Sequence, residues 1–357
     1  MAKREVKRGV LMHQEVDFQK VAKENLILEI KSGSHMFGTN TPDSDQDFVG
    51  IFMPPPEILF GLQECELVTM NEESKDSEGR NTSEAVDRTF YNIKKFVKLA
   101  LQNNPNIINV LFASPASVVF QTVEGAELLG YRCFFPHKGC YHRYVSYARS
   151  QKHKMLIKAC NYEELQETLT ELEKEHHVHT RRLMDAHEEG SEYLRVSEES
   201  VYHFKVGDLL LDRKLAISDA ISKVKKRLDS AGNRTSLITK YGFDTKFGSN
   251  LIMLLRQGIE LLRTGKLTLP LPYAQEIIDI KQGKFEAQEV IELAKSLEKE
   301  AEYAYETSTL SDKPRIEEVE SFLIRLFFRD NLNHYKNCIK GGVSNVPLCT
   351  DCIKEKL

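Results

Sequence analysis

Two acids two positions apart, Asp45 and Asp47, stand at the mouth of the apolar stretch Phe48-Val49-Gly50-Ile51-Phe52. A Gly33-Ser34 pair closes an earlier apolar stretch, Leu26-Ile27-Leu28-Glu29-Ile30. The pattern predicts a strand, a turn of small residues, and a second strand that carries both acids. Side chains at i and i+2 of a strand project to the same face, so the two carboxylates can reach one point. Paired carboxylates beside a Gly-Ser bend suit a divalent cation and a triphosphate together, which directs the reading toward nucleotide chemistry.

The bulk properties set limits on partners. The chain has 357 residues and a formal net charge of −4, so no global field draws it to nucleic acid, and such binding requires a local basic patch. A length of this order accommodates two domains. No apolar run approaches the ~20 residues of a membrane-spanning helix. The start Met1-Ala2-Lys3-Arg4 lacks a signal-peptide core, and seven scattered cysteines suit a reducing compartment. These features lead to the expectation of a cytoplasmic protein without membrane partners.

Along the chain, residues 14–24 read as a helix, 25–31 as a first strand and 46–53 as a second, stopped by Pro54-Pro55-Pro56. Residues 65–70 read as a further strand, 71–83 as a polar surface loop and 85–90 as a strand. A helix is expected over 93–101, and another over 107–112 after Asn104-Pro105. Beyond about residue 135 strand signals cease. Helical periodicity is assigned to 142–158, 161–189, 208–229, 247–264, 286–305 and 314–329. The expected architecture is α+β: a mixed-sheet domain over 1–135, an all-helical domain over 136–330, and a Cys/His tail over 331–357.

Transfer of a nucleotidyl group needs a held triphosphate, an activated hydroxyl and neutralised charge at the α-phosphate. Two Mg²⁺ ions about 3.5–4 Å apart supply the last two and need clustered carboxylates. Asp45 and Asp47 suit the bridging positions, and Asp87, beside Val86 in a strand-like segment, is the best-placed third ligand. Gly33 lets backbone approach phosphate, and the Ser34 hydroxyl can donate to it.

Gly33-Ser34, then Ser44-Asp45-x-Asp47, then a later strand Asp resembles the DNA-polymerase-β nucleotidyltransferase superfamily. More narrowly, the chain resembles that superfamily's RNA-repair branch of bacteria and phages. Carrying that resemblance are Gly38-Thr39, Thr41-Pro42, Tyr91-x-x-x-Lys95-Phe96, Asn104-Pro105, Tyr147-Ala148-x-Ser150-Gln151, Phe243-Asp244-Thr245-Lys246 and Leu251-Ile252-x-Leu254-Leu255-Arg256. The resemblance implies a palm-like catalytic domain, a helical second domain, Mg²⁺ and an NTP substrate, with Lys246 facing the triphosphate. The implied activity is NMP transfer to a hydroxyl, on RNA in end repair or modification. Nucleotidylation of a protein or small molecule, and a non-catalytic RNA-binding role, stand as alternatives. Two departures are Asn250, where relatives often carry His, and Asn109, where an acid is common.

Other clusters carry weaker signals. In the tail, His334, Cys338, Cys349 and Cys352 have ligand types and spacing suited to a structural Zn²⁺, against incidental thiols at a chain end. Cys133, His137, Cys140 and His142 match no regular metal spacing. His176, His177, His179 and His187 read as a solvated helix surface. Arg143, Arg149, Lys152, Lys154 and Lys158 interleave with Tyr141, Tyr144 and Tyr147, a pattern shared by single-strand RNA platforms and ordinary amphipathic helices. A further basic group is Lys223, Lys225, Lys226 and Arg227.

Overall fold

The structure, a computed structural model, describes residues 16–340 apart from 43, 73, 75–81, 83, 176–179, 199, 231–237 and 239; only backbone is described for 157–160, 230 and 330–340. It begins with α1 (Phe18–Glu24), where the Asp17 carboxylate accepts hydrogen bonds from the Gln19 and Lys20 N–H groups. β1 (Leu26–Lys31) follows, then the single turn α2 (Gly33–Phe37) and β2 (Gln46–Phe52). After α3 (Pro56–Leu59) come β3 (Leu67–Glu72), β4 (Val86–Asn92), α4 (Ile93–Leu101) and α5 (Pro105–Leu111). β5 (Val118–Gln121) and α6 (Val123–Gly130) complete the first portion.

The five strands form one mixed sheet in the order β3-β4-β2-β1-β5. β2 and β4 run parallel, and the other neighbours are antiparallel. Strand alternation sorts the side chains between two faces. Leu28 and Ile30 of β1 pair across from Ile51 and Val49 of β2, and this face packs on Ile93, Phe96 and Val97 of α4. Phe52 and Phe90 turn to the other face and pack with Ala22 of α1.

The sheet core continues without interruption into the later helices. α7 (Cys140–Lys174) contributes Cys140, Tyr144 and Ala148, and α10 (Thr245–Thr264) contributes Leu251, Leu255 and Leu262. α11 (Ala274–Lys281), α12 (Ala287–Thr307) and α13 (Ile316–Lys340) add Ile277, Ala294 and Phe322 to the same cluster. The fold is therefore α+β, with a helical C-terminal region as expected.

Two expectations for the later chain are corrected. The helices assigned to 142–158 and 161–189 are instead α7, unbroken to Lys174, followed by the short α8 (Leu183–Ala186). No Gly or Pro interrupts 140–174, so nothing local stops the helix. Strands also do not cease at 135: β6 (Arg195–Val196), β7 (His203–Val206) and β8 (Leu209–Asp212) form an antiparallel sheet. The helix expected from 208 is instead β8 followed by α9 (Ile217–Ser230). Leu209-Leu210-Leu211 fits either period, and packing decides: Phe204, Val206 and Leu211 bury against Leu165 and Leu172 of α7 and Val224 of α9 in a second core.

Asn109 has a structural explanation in this core. Its Oδ1 accepts a 3.1 Å hydrogen bond from Gln257 Nε2, and both residues are buried. This bond ties α5 beneath the sheet to α10. Gln257→Leu should destabilise the protein by about 1–3 kcal/mol in urea unfolding, because it strands a buried Asn109 acceptor. Asn109→Leu combined with Gln257→Leu should recover part of that loss; an additive double variant would refute the pairing.

Candidate active site

The parallel register of β2 and β4 determines where the acids lie. Asp47 stands directly opposite Asp87, so both side chains leave the same face at the same end of the sheet. Asp45 precedes β2 by one residue and shares Asp47's alternation. β1 runs antiparallel to β2, with Lys31 opposite Phe48, and therefore ends where β2 begins. The bend after β1 meets the acids there: Ser32 N–H donates to the Asp47 carbonyl at 2.8 Å.

Gly33 is required at this bend for two reasons. Its φ is +60°, and a Cβ on it would lie 2.0 Å from Asp47 Oδ2. The Asp47 carboxylate is thus packed directly on the Gly33 backbone. Ser34 follows in the first turn of α2, and its buried Oγ has no hydrogen-bond partner among the described residues. The return toward β2 is braced by Thr41 N–H donating to Ser44 Oγ at 2.9 Å.

Electrostatics link these groups. Burial pushes the Asp47 carboxyl above its usual pKa, and the neighbouring Asp45 and Asp87 push it further. The positive charge of Lys246 acts in the opposite direction. Lys246 occupies the first turn of α10, where Asp244 caps the helix by accepting from Lys246 N–H at 3.1 Å and Phe247 N–H at 3.3 Å. Beside the bend, burial and then Lys31 lower the pKa of His35, partly offset by the Ser44 and Asp45 backbone and the Asp45 charge.

The three acids supply only oxygen donors, the set preferred by Mg²⁺ and other hard cations. Strand register brings their positions together, but no group of three His, Cys, Asp and Glu side chains among the described residues is drawn into a metal-holding cluster. Mutual repulsion of three carboxylates opposes such convergence. The orphaned Ser34 hydroxyl and the Gly33 cradle fit a further oxygen-rich group beside the acids.

Sequence reasoning missed Lys281 and gave Thr39 no role of its own. Lys281, the last residue of α11, donates from Nζ to Thr39 Oγ1 at 3.1 Å. Its pKa is lowered by burial and by Lys246. Gly38-Thr39 was legible as a motif, but Lys281 lay in a helix absent from the expected set, and no local pattern marks it.

The remaining candidates separate. His137 is occupied by backbone, with Nε2 3.0 Å from the Leu101 carbonyl and Nδ1 accepting from Gly139 N–H at 3.1 Å. Cys140 is buried, with its thiol pushed up to about 12, whereas Cys133 is exposed, which argues against a shared metal. Tyr144 is fully buried and Tyr141 stacks on Tyr305, leaving Tyr147 as the exposed ring of the three. Lys225 pairs with Glu173 at 2.6 Å, and Arg227 pairs with Asp208. His187 meets Glu175 at 3.1 Å. His176, His177, His179, Cys349 and Cys352 lie outside the described residues, as do the side chains of Lys158, His334 and Cys338. No helix among the described residues is long and apolar enough to cross a membrane.

A mixed sheet with acids at the start of two parallel strands, a glycine bend and a lysine whose charge acts on the acids is a nucleotidyltransferase-like arrangement. The chain belongs to the RNA repair pathway DNA polymerase beta family, whose model matches residues 10–188. It is 25% identical over 338 residues to an uncharacterized 38.9 kDa protein from the nrdC-mobD intergenic region of Enterobacteria phage T4, spanning 85% of this chain and 97% of that one. A nucleotidyltransferase-like protein from Exiguobacterium sibiricum 255-15 aligns at 9% identity with a TM-score of 0.25, covering 81% of this chain and 72% of that one. That overlap is too loose to inform the site.

Asp47→Asn should raise the melting temperature at pH 7 by about 1–3 °C. The sign follows from the raised carboxyl pKa: ionised Asp47 opposes folding at neutral pH, and that cost disappears as pH falls through its folded-state value. A lower melting temperature for the variant at pH 7 would contradict the crowding of the acids.

Proposed function

We propose that the protein is an Mg²⁺-dependent nucleotidyltransferase that moves NMP from an NTP to a hydroxyl acceptor, an RNA end in repair or modification. The observation that carries this reading is the in-register Asp47–Asp87 pair beside Asp45, Gly33 and Lys246. The family's RNA-repair description supports RNA as the acceptor.

Asp45, Asp47 and Asp87 would hold two Mg²⁺ ions, with Asp45 and Asp47 shared between them. Bound magnesium supplies charge neutralisation at the phosphate and a lowered pKa for the attacking hydroxyl. The chain's own groups do the rest. Gly33 leaves backbone bare where a phosphate approaches. Ser34 Oγ offers a hydroxyl donor that is otherwise unused among the described residues. Lys246, whose positive charge acts on Asp47, would stabilise the polyphosphate. The partly buried setting of Asp47 strengthens each of these interactions relative to water.

Incubation with each labelled NTP, Mg²⁺ and total RNA should transfer label to RNA. Asp45→Asn with Asp47→Asn should reduce transfer by at least about 100-fold without lowering the melting temperature. Full transfer by the folded double variant would remove the assignment. Label found on protein or small molecules would instead favour the alternative acceptors, and magnesium-dependent NTP binding without any transfer would favour a non-catalytic member of the fold.

A further inference from the structure

Lys246 and Lys281 reach the site from different helices. Lys281 closes α11, and its ammonium meets the neutral Thr39 hydroxyl at 3.1 Å. Thr39 is itself 2% exposed and terminates the bend that starts at Gly33, its N–H donating to the Ser34 carbonyl at 2.9 Å. Another cation, Lys246, adds to burial in disfavouring the charged form of Lys281. A half-buried ammonium beside a second ammonium opposes folding unless something anionic is gained in return.

The surrounding packing holds this arrangement in place. Thr245 Oγ1, next to Lys246, donates to the Lys281 carbonyl at 3.0 Å, linking the two lysine-bearing helices. Arg256 of α10 grips Glu276 of α11 through hydrogen bonds of 2.6 and 2.8 Å. On the bend side, Leu271 N–H donates to the Phe37 carbonyl at 3.1 Å. A pair of cations so fixed, next to a bare-backbone glycine bend, matches a ligand with several adjacent negative charges. A chain of phosphates is such a ligand, whereas one carboxylate would neutralise a single lysine.

We infer that Lys281 is a second polyphosphate-contacting residue, held by Thr39 so that it and Lys246 together grip the phosphate chain of the nucleotide. The inference rests on the nucleotidyltransferase reading and extends it to a residue outside every motif legible in the sequence. Lys281 is a binding residue in this role, and its loss acts on affinity before turnover. Thr39 is a positioning residue that fixes where the ammonium lies.

Calorimetric titration of the full chain with magnesium tripolyphosphate tests the inference, using wild type, Lys281→Met and Thr39→Val. Lys281→Met should weaken binding at least about tenfold, the scale of one lost charge-assisted contact, and should melt no lower than wild type. Thr39→Val should weaken binding by a smaller factor. In transfer assays Lys281→Met should raise KM for the NTP more than it lowers kcat. Wild-type affinity in a folded Lys281→Met protein would overturn the inference and leave the broader reading intact. If Lys281→Met does not fold, undiminished binding by Thr39→Val has the same force. Failure of wild type to bind either tripolyphosphate or any NTP would instead overturn the nucleotidyltransferase reading itself.

Discussion

The parallel ladder between β2 and β4 is the constraint on which the site depends. Parallel strands in register bring their starts to the same end of the sheet, so Asp47 and Asp87 face each other across one ladder step. Packing that does not involve the acids has to maintain this like-charge juxtaposition. Ile51 buries on one face, Phe52 and Phe90 on the other, and a Cβ on Gly50 would come within 2.4 Å of the Phe90 ring. Burial of these apolar groups offsets the repulsion at the strand ends.

The later helices adjoin the candidate site as well as covering the core. Lys281 comes from one of them and reaches Thr39 at the end of the bend, while Lys246, from another, acts by its charge on Asp47 and Lys281. The Asn109–Gln257 bond and the shared apolar cluster hold α10 against the elements beneath the sheet. A nucleotide lying between acids and lysines would therefore touch two widely separated stretches of the chain. The small sheet of β6, β7 and β8 packs instead in its own core with α7 and α9.

Much of the candidate site was legible because its signals are local. Strand alternation placed Asp45 and Asp47 on one side, and β1, β2 and β4 appear close to where apolar runs predicted them. Asp244-Thr245-Lys246 stood out only through the family resemblance, and the structure shows Asp244 capping the helix whose first turn carries Lys246. The hairpin at 203–212 was missed although Gly207-Asp208 is a two-residue turn signal, because the leucines after it also suit a helix. The three tyrosines of α7 could not be sorted by spacing alone: Tyr144 buries while Tyr147 does not.

By itself the sequence determined the elements around the bend, the identity of the acids and the need for small residues between the first two strands. These follow from backbone sterics and side-chain period, which act over a few residues. Only the tertiary structure decided that Asp87 lies opposite Asp47, that Asn109 pairs with Gln257, and that Lys281 reaches Thr39 across 242 positions of chain. Those contacts depend on how sheet and helices share one core, and no short-range pattern encodes distances between residues so far apart in the chain.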